Sequence, residues 1–211
     1  MTPQAIIWDM DGTLIDSEPL HDAALSAALA SVGLPEVENL HDMVLGKSAD
    51  AVYSTICRNL GLTMPFRDWI DLKYRHYFEG VAQLKPMPGA RAFWDDADAK
   101  GIPQAVASNS DRLIVDANLR SCGFARPGLV TLSRNDVRKG KPNPELFERA
   151  AWLLGADPEA SVGIEDSITG ASASAAAGLR TFLVGHTPIT DVPEGVEAVA
   201  SLDILRARIG V

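Results

Sequence analysis

Cysteine is scarce in this chain. Cys57 and Cys122 are the only two in 211 residues, far apart and in no metal-ligating spacing. A disulfide scaffold is therefore excluded, and two buried thiols in a reducing compartment are expected. Basic residues are outnumbered, 19 Lys and Arg against 28 Asp and Glu, for a formal net charge of -9. Such a surface repels nucleic acid and anionic lipid, yet it leaves room for a small anion in a local positive pocket. No apolar run approaches the ~18 residues of a membrane span. The N-terminus passes from Met1-Thr2-Pro3-Gln4 straight into Ala5-Ile6-Ile7-Trp8, without the basic leader of a signal peptide. The expectation is a cytoplasmic protein with no membrane or nucleic-acid partner. What is present, 46% hydrophobic and 22% charged residues, suits one soluble core with a modest insertion.

Short apolar runs that end in polar residues organise the chain. Ala5 to Trp8 is a buried strand running into Asp9-Met10-Asp11-Gly12. Ser17-Glu18-Pro19 opens a helix with a capping hydroxyl, an early acid and a first-turn proline; Leu25, Leu29 and Val32 form its stripe and Gly33 ends it. Helical periodicity then continues to about Lys85, Ala51 to Ile56 included, and Pro86-Met87-Pro88-Gly89 breaks it. Beyond the breaker, strands alternate with helices. Strands are expected at Ala105 to Ala107, Leu129 to Leu132, Ser161 to Ile164, Thr181 to Val184 and Glu197 to Ala200. The helix from Pro144 carries Leu146, Phe147, Ala150, Ala151 and Leu154 on one face and closes at Gly155, and a small-residue helix runs from Ala171 to Ala177. Repeated βα units predict an α/β fold: a Rossmann-like parallel sheet covered by helices, with an inserted all-helical cap. The expected division is 1–16 and 87–211 for the core and 17–86 for the cap.

In open parallel sheets ligands bind at the carboxyl ends of the strands. Here those ends carry Asp9 and Asp11, then Ser108-Asn109-Ser110, then Glu165-Asp166, with Lys141 in Gly140-Lys141-Pro142-Asn143-Pro144 just before a helix. Each has an ordinary reading alone: Asp-x-Asp-Gly as a turn, Ser108 to Ser110 and Glu165-Asp166-Ser167 as helix caps, Lys141 as a solvated lysine. Together, in order, they make a cluster of carboxylates that cannot all stay ionised without a cation, and Mg²⁺ with a substrate phosphate fits such a site.

These residues carry a resemblance. Ile7 to Glu18 (IWDMDGTLIDSE), Val106 to Ser110, Lys141 to Glu145 and Gly163 to Ser167 resemble the four motifs of the haloacid dehalogenase-like hydrolases, over about residues 5 to 185. The Asp16-Ser17-Glu18 ending and the helical insertion after it are similar to the branch with a helical cap. The resemblance implies a Mg²⁺-dependent phosphatase of small phosphorylated metabolites, sugar phosphates above all. Asp9 would attack phosphorus and become an aspartyl-phosphate. Asp11 would protonate the leaving alkoxide and then take a proton from the attacking water. Asp9, the Asp11 carbonyl and Asp166 would hold Mg²⁺, with Glu165 in support, while Ser108 and Lys141 bind the phosphoryl oxygens. Asn109, His21, Gly46, Lys47 and Ser48 are the expected substrate contacts, with Lys73 as a further partner, and a monomer is expected.

Asp11 also disfavours a dehalogenase, since a halide needs no protonation. Gly46-Lys47-Ser48 is no nucleotide loop, because the earlier glycine of that motif falls on His41. In beta-phosphoglucomutase an arginine follows the equivalent serine and grips a second phosphate; here Ala49 follows. A sugar-phosphate mutase is thereby the alternative rather than the first reading. Arg112 is expected to open a helix or to touch a second substrate charge. Trp69, Tyr74 and Tyr77 are expected to build the cap core. A hinge is expected at Asp16-Ser17 and Lys85 to Pro88, where cap opening would admit substrate and closure would exclude water.

Overall fold

A computed structural model describes residues 2–44, 48–185 and 192–211. Six strands form one parallel sheet: β1 (Ile6–Trp8), β2 (Gln104–Ala107), β3 (Val130–Leu132), β4 (Val162–Glu165), β5 (Arg180–Val184) and β6 (Val196–Val199), in the order β3-β2-β1-β4-β5-β6. All six expected strands are present, each within about a residue or two of its sequence bounds, as helix and strand ends generally are. β1, β2 and β4 are buried throughout because helices cover both faces, which is why they are apolar but for Gln104 at the start of β2 and Glu165 at the end of β4.

Side chains alternate across the sheet. Ile6 and Trp8 face a core shared with α5 (Ala90–Ala99), α6 (Arg112–Ser121) and α9 (Leu202–Ile209). Ile7 faces the opposite core with Leu146, Phe147, Ala150 and Ala151 of α7 (Glu145–Leu154). The small residues of α8 (Ile168–Ala176) allow close approach: a Cβ at Gly163 of β4 would overlap the Ser174 hydroxyl. Gly155 ends α7 in the left-handed region at φ 64°.

Between β1 and β2 lie α1 (Glu18–Ser31), α2 (Leu40–Val44), α3 (Ala49–Leu60) and α4 (Phe66–Gly80). They share a separate apolar cluster, among it Leu25, Leu29, Val52, Ile56 and Trp69. The two strands of chain that join this segment to the sheet run side by side: Asp16 N–H donates to the Lys85 carbonyl at 2.9 Å and Met87 N–H to the Leu14 carbonyl at 3.0 Å. Among the described residues, no helix is long and apolar enough to cross a membrane.

β1 is the point where the strand order reverses, with β2 on one side and β4 on the other. Trp8 is in register with Val106 and with Ile164. The next residues along, Asp9 and Glu165, therefore emerge side by side at the crevice where open α/β sheets bind ligands.

Candidate active site

Lys141 is the pivot of this crevice. Its ammonium donates to Asp9 Oδ1 and to Glu165 Oε1, each at 2.5 Å, and its side chain is only 4% exposed. Asn109 fixes the lysine's loop: its Oδ1 accepts from Lys141 N–H at 2.9 Å and its amide donates to the Lys141 carbonyl at 3.3 Å. Glu165 is wholly buried, and its second oxygen accepts from the Ser167 hydroxyl at 3.0 Å. Ser167 also caps α8, accepting from Gly170 N–H, so the cap reading of Glu165-Asp166-Ser167 holds for the serine alone.

One oxygen from each of Asp9, Glu165 and Asp166 lies within 4.8 Å of the others. Burial, and next the charge of Glu165, push Asp9 well above the ordinary carboxylate range, with Lys141 pulling the other way. Asp166 stands at the cavity wall, partly exposed to it. Desolvation there and the Glu165 charge raise it to about 7, although Thr13 donates to it at 3.2 Å. Asp9 and Glu165 in turn hold Lys141 above the usual lysine range despite its burial. Three carboxylates against one ammonium leave an excess of negative charge in a poorly solvated place, and a divalent cation would relieve it. An all-oxygen set suits a hard ion. Both Glu165 oxygens already have donors, so Asp9 and Asp166 are the carboxylates free to meet a metal directly.

Asp11 faces a different way. Ser17 and His21 reach its Oδ1 at 2.6 and 3.4 Å, and Ser108 and Ser110 reach its Oδ2 at 3.1 and 2.8 Å. Burial alone would raise its pKa, but His21, Ser17 and Ser110 bring it down to about 2. This corrects the expectation that Ser17 caps α1. Ser17 holds the N-cap position without a side-chain capping bond, and its hydroxyl is turned to Asp11. Ser108 is likewise turned to Asp11 and buried at 1%, whereas its neighbours Asn109 and Ser110 line the cavity.

The cavity above these groups is about 500 Å³, within the usual range for a small-molecule site. The sheet side supplies Asp9, Asp11, Lys141 and Asp166. The helical segment supplies His21, Ala49, Val52, Lys73 and Tyr74 among others. Burial pulls Lys73 below the ordinary lysine range, against the raising charges of Asp11, Glu18, Asp111 and Asp22. Ser48 heads α3 beside Asp50, one residue before the cavity-lining Ala49. Gly46 and Lys47 lie outside the described residues.

Arg112 does begin α6, but its guanidinium turns away from the cavity to Thr131, to the Thr131 carbonyl and to Asp136. Trp69 is core, as expected. Tyr77 packs into the sheet-side core instead, and Tyr74 lines the cavity and donates to Asp111. Sequence reasoning passed over Asn118. Its signal was a polar residue on the apolar stripe of Ile114, Val115 and Leu119.

Comparison with known proteins bears on the family and the fold. The family model for haloacid dehalogenase-like hydrolases matches residues 3–178. The protein CbbY of Rhodobacter capsulatus is 32% identical over 198 residues, covering 87% of this chain and 86% of that one. A phosphorylated carbohydrates phosphatase of Thermotoga maritima is 29% identical over 188 residues, with coverages of 87% and 86%. The crystal structure of CbbY from Rhodobacter sphaeroides in complex with phosphate superposes with a TM-score of 0.87 at 25% identity, covering 97% of this chain and 96% of that one.

Proposed function

The chain belongs to the haloacid dehalogenase-like hydrolase family, and from that premise we propose that it is a Mg²⁺-dependent phosphatase that releases phosphate from phosphorylated sugars. The observation that carries this reading is the Lys141 ammonium held between Asp9 and Glu165 at the floor of a cavity of about 500 Å³. Asp9 is the nucleophile. Its carboxylate forms a bond to phosphorus while the bond from phosphorus to the sugar oxygen breaks, and water later displaces Asp9 from the aspartyl-phosphate. A carboxylate nucleophile divides a hard transfer into two easier ones. Lys141 orients Asp9 and offsets charge on the phosphoryl oxygens, which is most of what phosphoryl transfer asks of a protein. Asp9, Asp166 and the Asp11 carbonyl would hold Mg²⁺, with Glu165 in support. When bound, the ion supplies further neutralisation of the transferring phosphoryl group.

Asp11 is the proton carrier, acid in the first half and base in the second. Held by Ser17, His21, Ser108 and Ser110 it is in its base form. To carry a proton it must shed some of those donors. Ser17 and His21 stand at the start of the helical segment, so a movement of residues 17–86 against 1–16 and 87–211 would withdraw them. A lid of this kind also excludes water from the aspartyl-phosphate until the sugar has left. Ala49 presents a methyl group to the cavity, which supports release of phosphate over the second-phosphate grip of a mutase.

The test is a panel of phosphorylated sugars and polyols with Mg²⁺, read by free phosphate and by product analysis. Phosphate release is expected, lost with excess chelator and lost in Asp9→Asn, whose fold by circular dichroism stays intact. Isomerised product without free phosphate, or full turnover in Asp9→Asn, would overturn the proposal.

A further inference from the structure

Asn118 and Tyr77 have no place in the chemistry so far, yet both are wholly buried and both are polar. The Tyr77 hydroxyl, on α4 of the helical segment, donates to Asn118 Oδ1 at 3.1 Å. Asn118, on α6 of the sheet domain, has its Nδ2 at 2.9 Å from the same Tyr77 hydroxyl and at 3.5 Å from Asp11 Oδ1. The Tyr77 ring also lies against His21 at 4.5 Å between centroids, and His21 reaches the same Asp11 oxygen. Burying an amide and a phenol costs free energy that apolar residues of similar shape would not. Both side chains are buried and bonded to one another, so each helps to hold the other's orientation.

We propose that Asn118 and Tyr77 are positioning residues for Asp11, linking the seat of α4 on α6 to the orientation of the proton-carrying carboxylate. This rests on the reading of Asp11 as acid and base. The donors from Ser17 and His21 come from the start of the helical segment and leave with it. The Asn118 amide belongs to the sheet domain and stays, with Tyr77 holding its orientation only while α4 is seated. The pair thus conveys the position of the helical segment to Asp11 from the opposite side of the carboxylate.

The test exploits leaving groups. A sugar alkoxide needs a proton as it departs; p-nitrophenolate does not, so a misplaced Asp11 penalises sugar esters selectively in kcat/KM, which reads only as far as leaving-group departure and leaves out the water step common to both esters. Tyr77→Phe and Asn118→Leu are compared with the unaltered protein for kcat/KM on the best sugar phosphate and on p-nitrophenyl phosphate, with Mg²⁺. The ratio of the two rates is expected to fall about tenfold or more in each variant, the low end of what a positioned acid contributes. A parallel fall on both esters means that the pair serves packing alone and overturns the proposal, as does an unchanged ratio. If Asn118→Leu fails to fold, Tyr77→Phe decides by itself, since it removes one oxygen and keeps the ring. If the unaltered protein hydrolyses neither ester, the phosphatase reading itself falls and takes this inference with it. If it hydrolyses both and the variants leave the ratio in place, only the positioning role is lost.

Discussion

A single methyl group placed at Gly170 should disable the site from behind. Gly170 lies in α8 with ordinary helical backbone, so in isolation alanine would be favoured there by about 1 kcal/mol. A Cβ at this position, however, would overlap the Glu165 carboxyl group, both oxygens and the carbon between them. Glu165 has nowhere to go. It is wholly buried, with one oxygen on Lys141 at 2.5 Å and the other on Ser167 at 3.0 Å. Overpacking of this kind costs about 1–3 kcal/mol, and driving a carboxylate off a buried ammonium adds part of the 3–5 kcal/mol of a fully broken pair. Set against the propensity gain, Gly170→Ala should lose about 2–4 kcal/mol, which at this chain length lowers Tm by roughly 5–15 °C. Lys141 shifts with Glu165 and carries Asp9 with it, and a misplacement of about 1 Å costs on the order of 100-fold in rate. Thermal melts and phosphate-release assays read both effects. Adding Glu165→Asp, one methylene shorter, should restore part of the lost Tm although it leaves the lysine pair longer. A Gly170→Ala protein that melts higher than its parent and turns over at the parental rate would refute the reasoning, because Glu165 would then have room that this packing denies it.

The acid at the cavity wall makes metal binding pH-dependent. Asp166 is raised from 3.8 to about 7 in the folded protein. Its stabilising contribution is therefore complete below the unfolded value and is lost as the pH rises toward 7, while Mg²⁺ requires the ionised form. Mg²⁺ affinity by titration calorimetry should weaken roughly tenfold for each pH unit below about 7, and the Mg²⁺-induced rise in Tm should be larger at about pH 7.5 than at about pH 5.5; equal affinities at the two would show that Asp166 is ionised throughout. Arg112→Ala should leave KM for the sugar phosphate unchanged, since the guanidinium serves Thr131 and Asp136 outside the cavity, and should cost about 1 kcal/mol of stability in a thermal melt; a severalfold rise in KM would place Arg112 on the substrate after all.

The frame of the site was legible in the sequence because a parallel sheet makes it so. Strands covered on both faces appear as unbroken apolar runs, and Asp9, Ser108 and Glu165 are the first polar residues at or just past their ends. Helix α5 carries as clear a pattern, Ala90, Phe93, Trp94 and Ala97 at helical spacing, but it follows directly on the Pro86 to Gly89 breaker, which masks its start. What the sequence could not disclose is how polar groups divide their bonds. Ser17 and Ser108 each have both backbone groups and a distant carboxylate within reach. Bonds to an ionised acceptor are roughly twice as strong as neutral ones, so both hydroxyls donate to the buried Asp11 carboxylate, Ser108 while still accepting from Ser110 N–H at 2.9 Å. The same preference sends Arg112 to Asp136. Cap motifs count neighbours along the chain, whereas these bonds are set by charge across the fold. A serine at a cap position within reach of a buried carboxylate should therefore be read first as that carboxylate's donor. On that rule the DGTLIDS stretch at the start of α1 is better read as the beginning of Asp11's own hydrogen-bond shell.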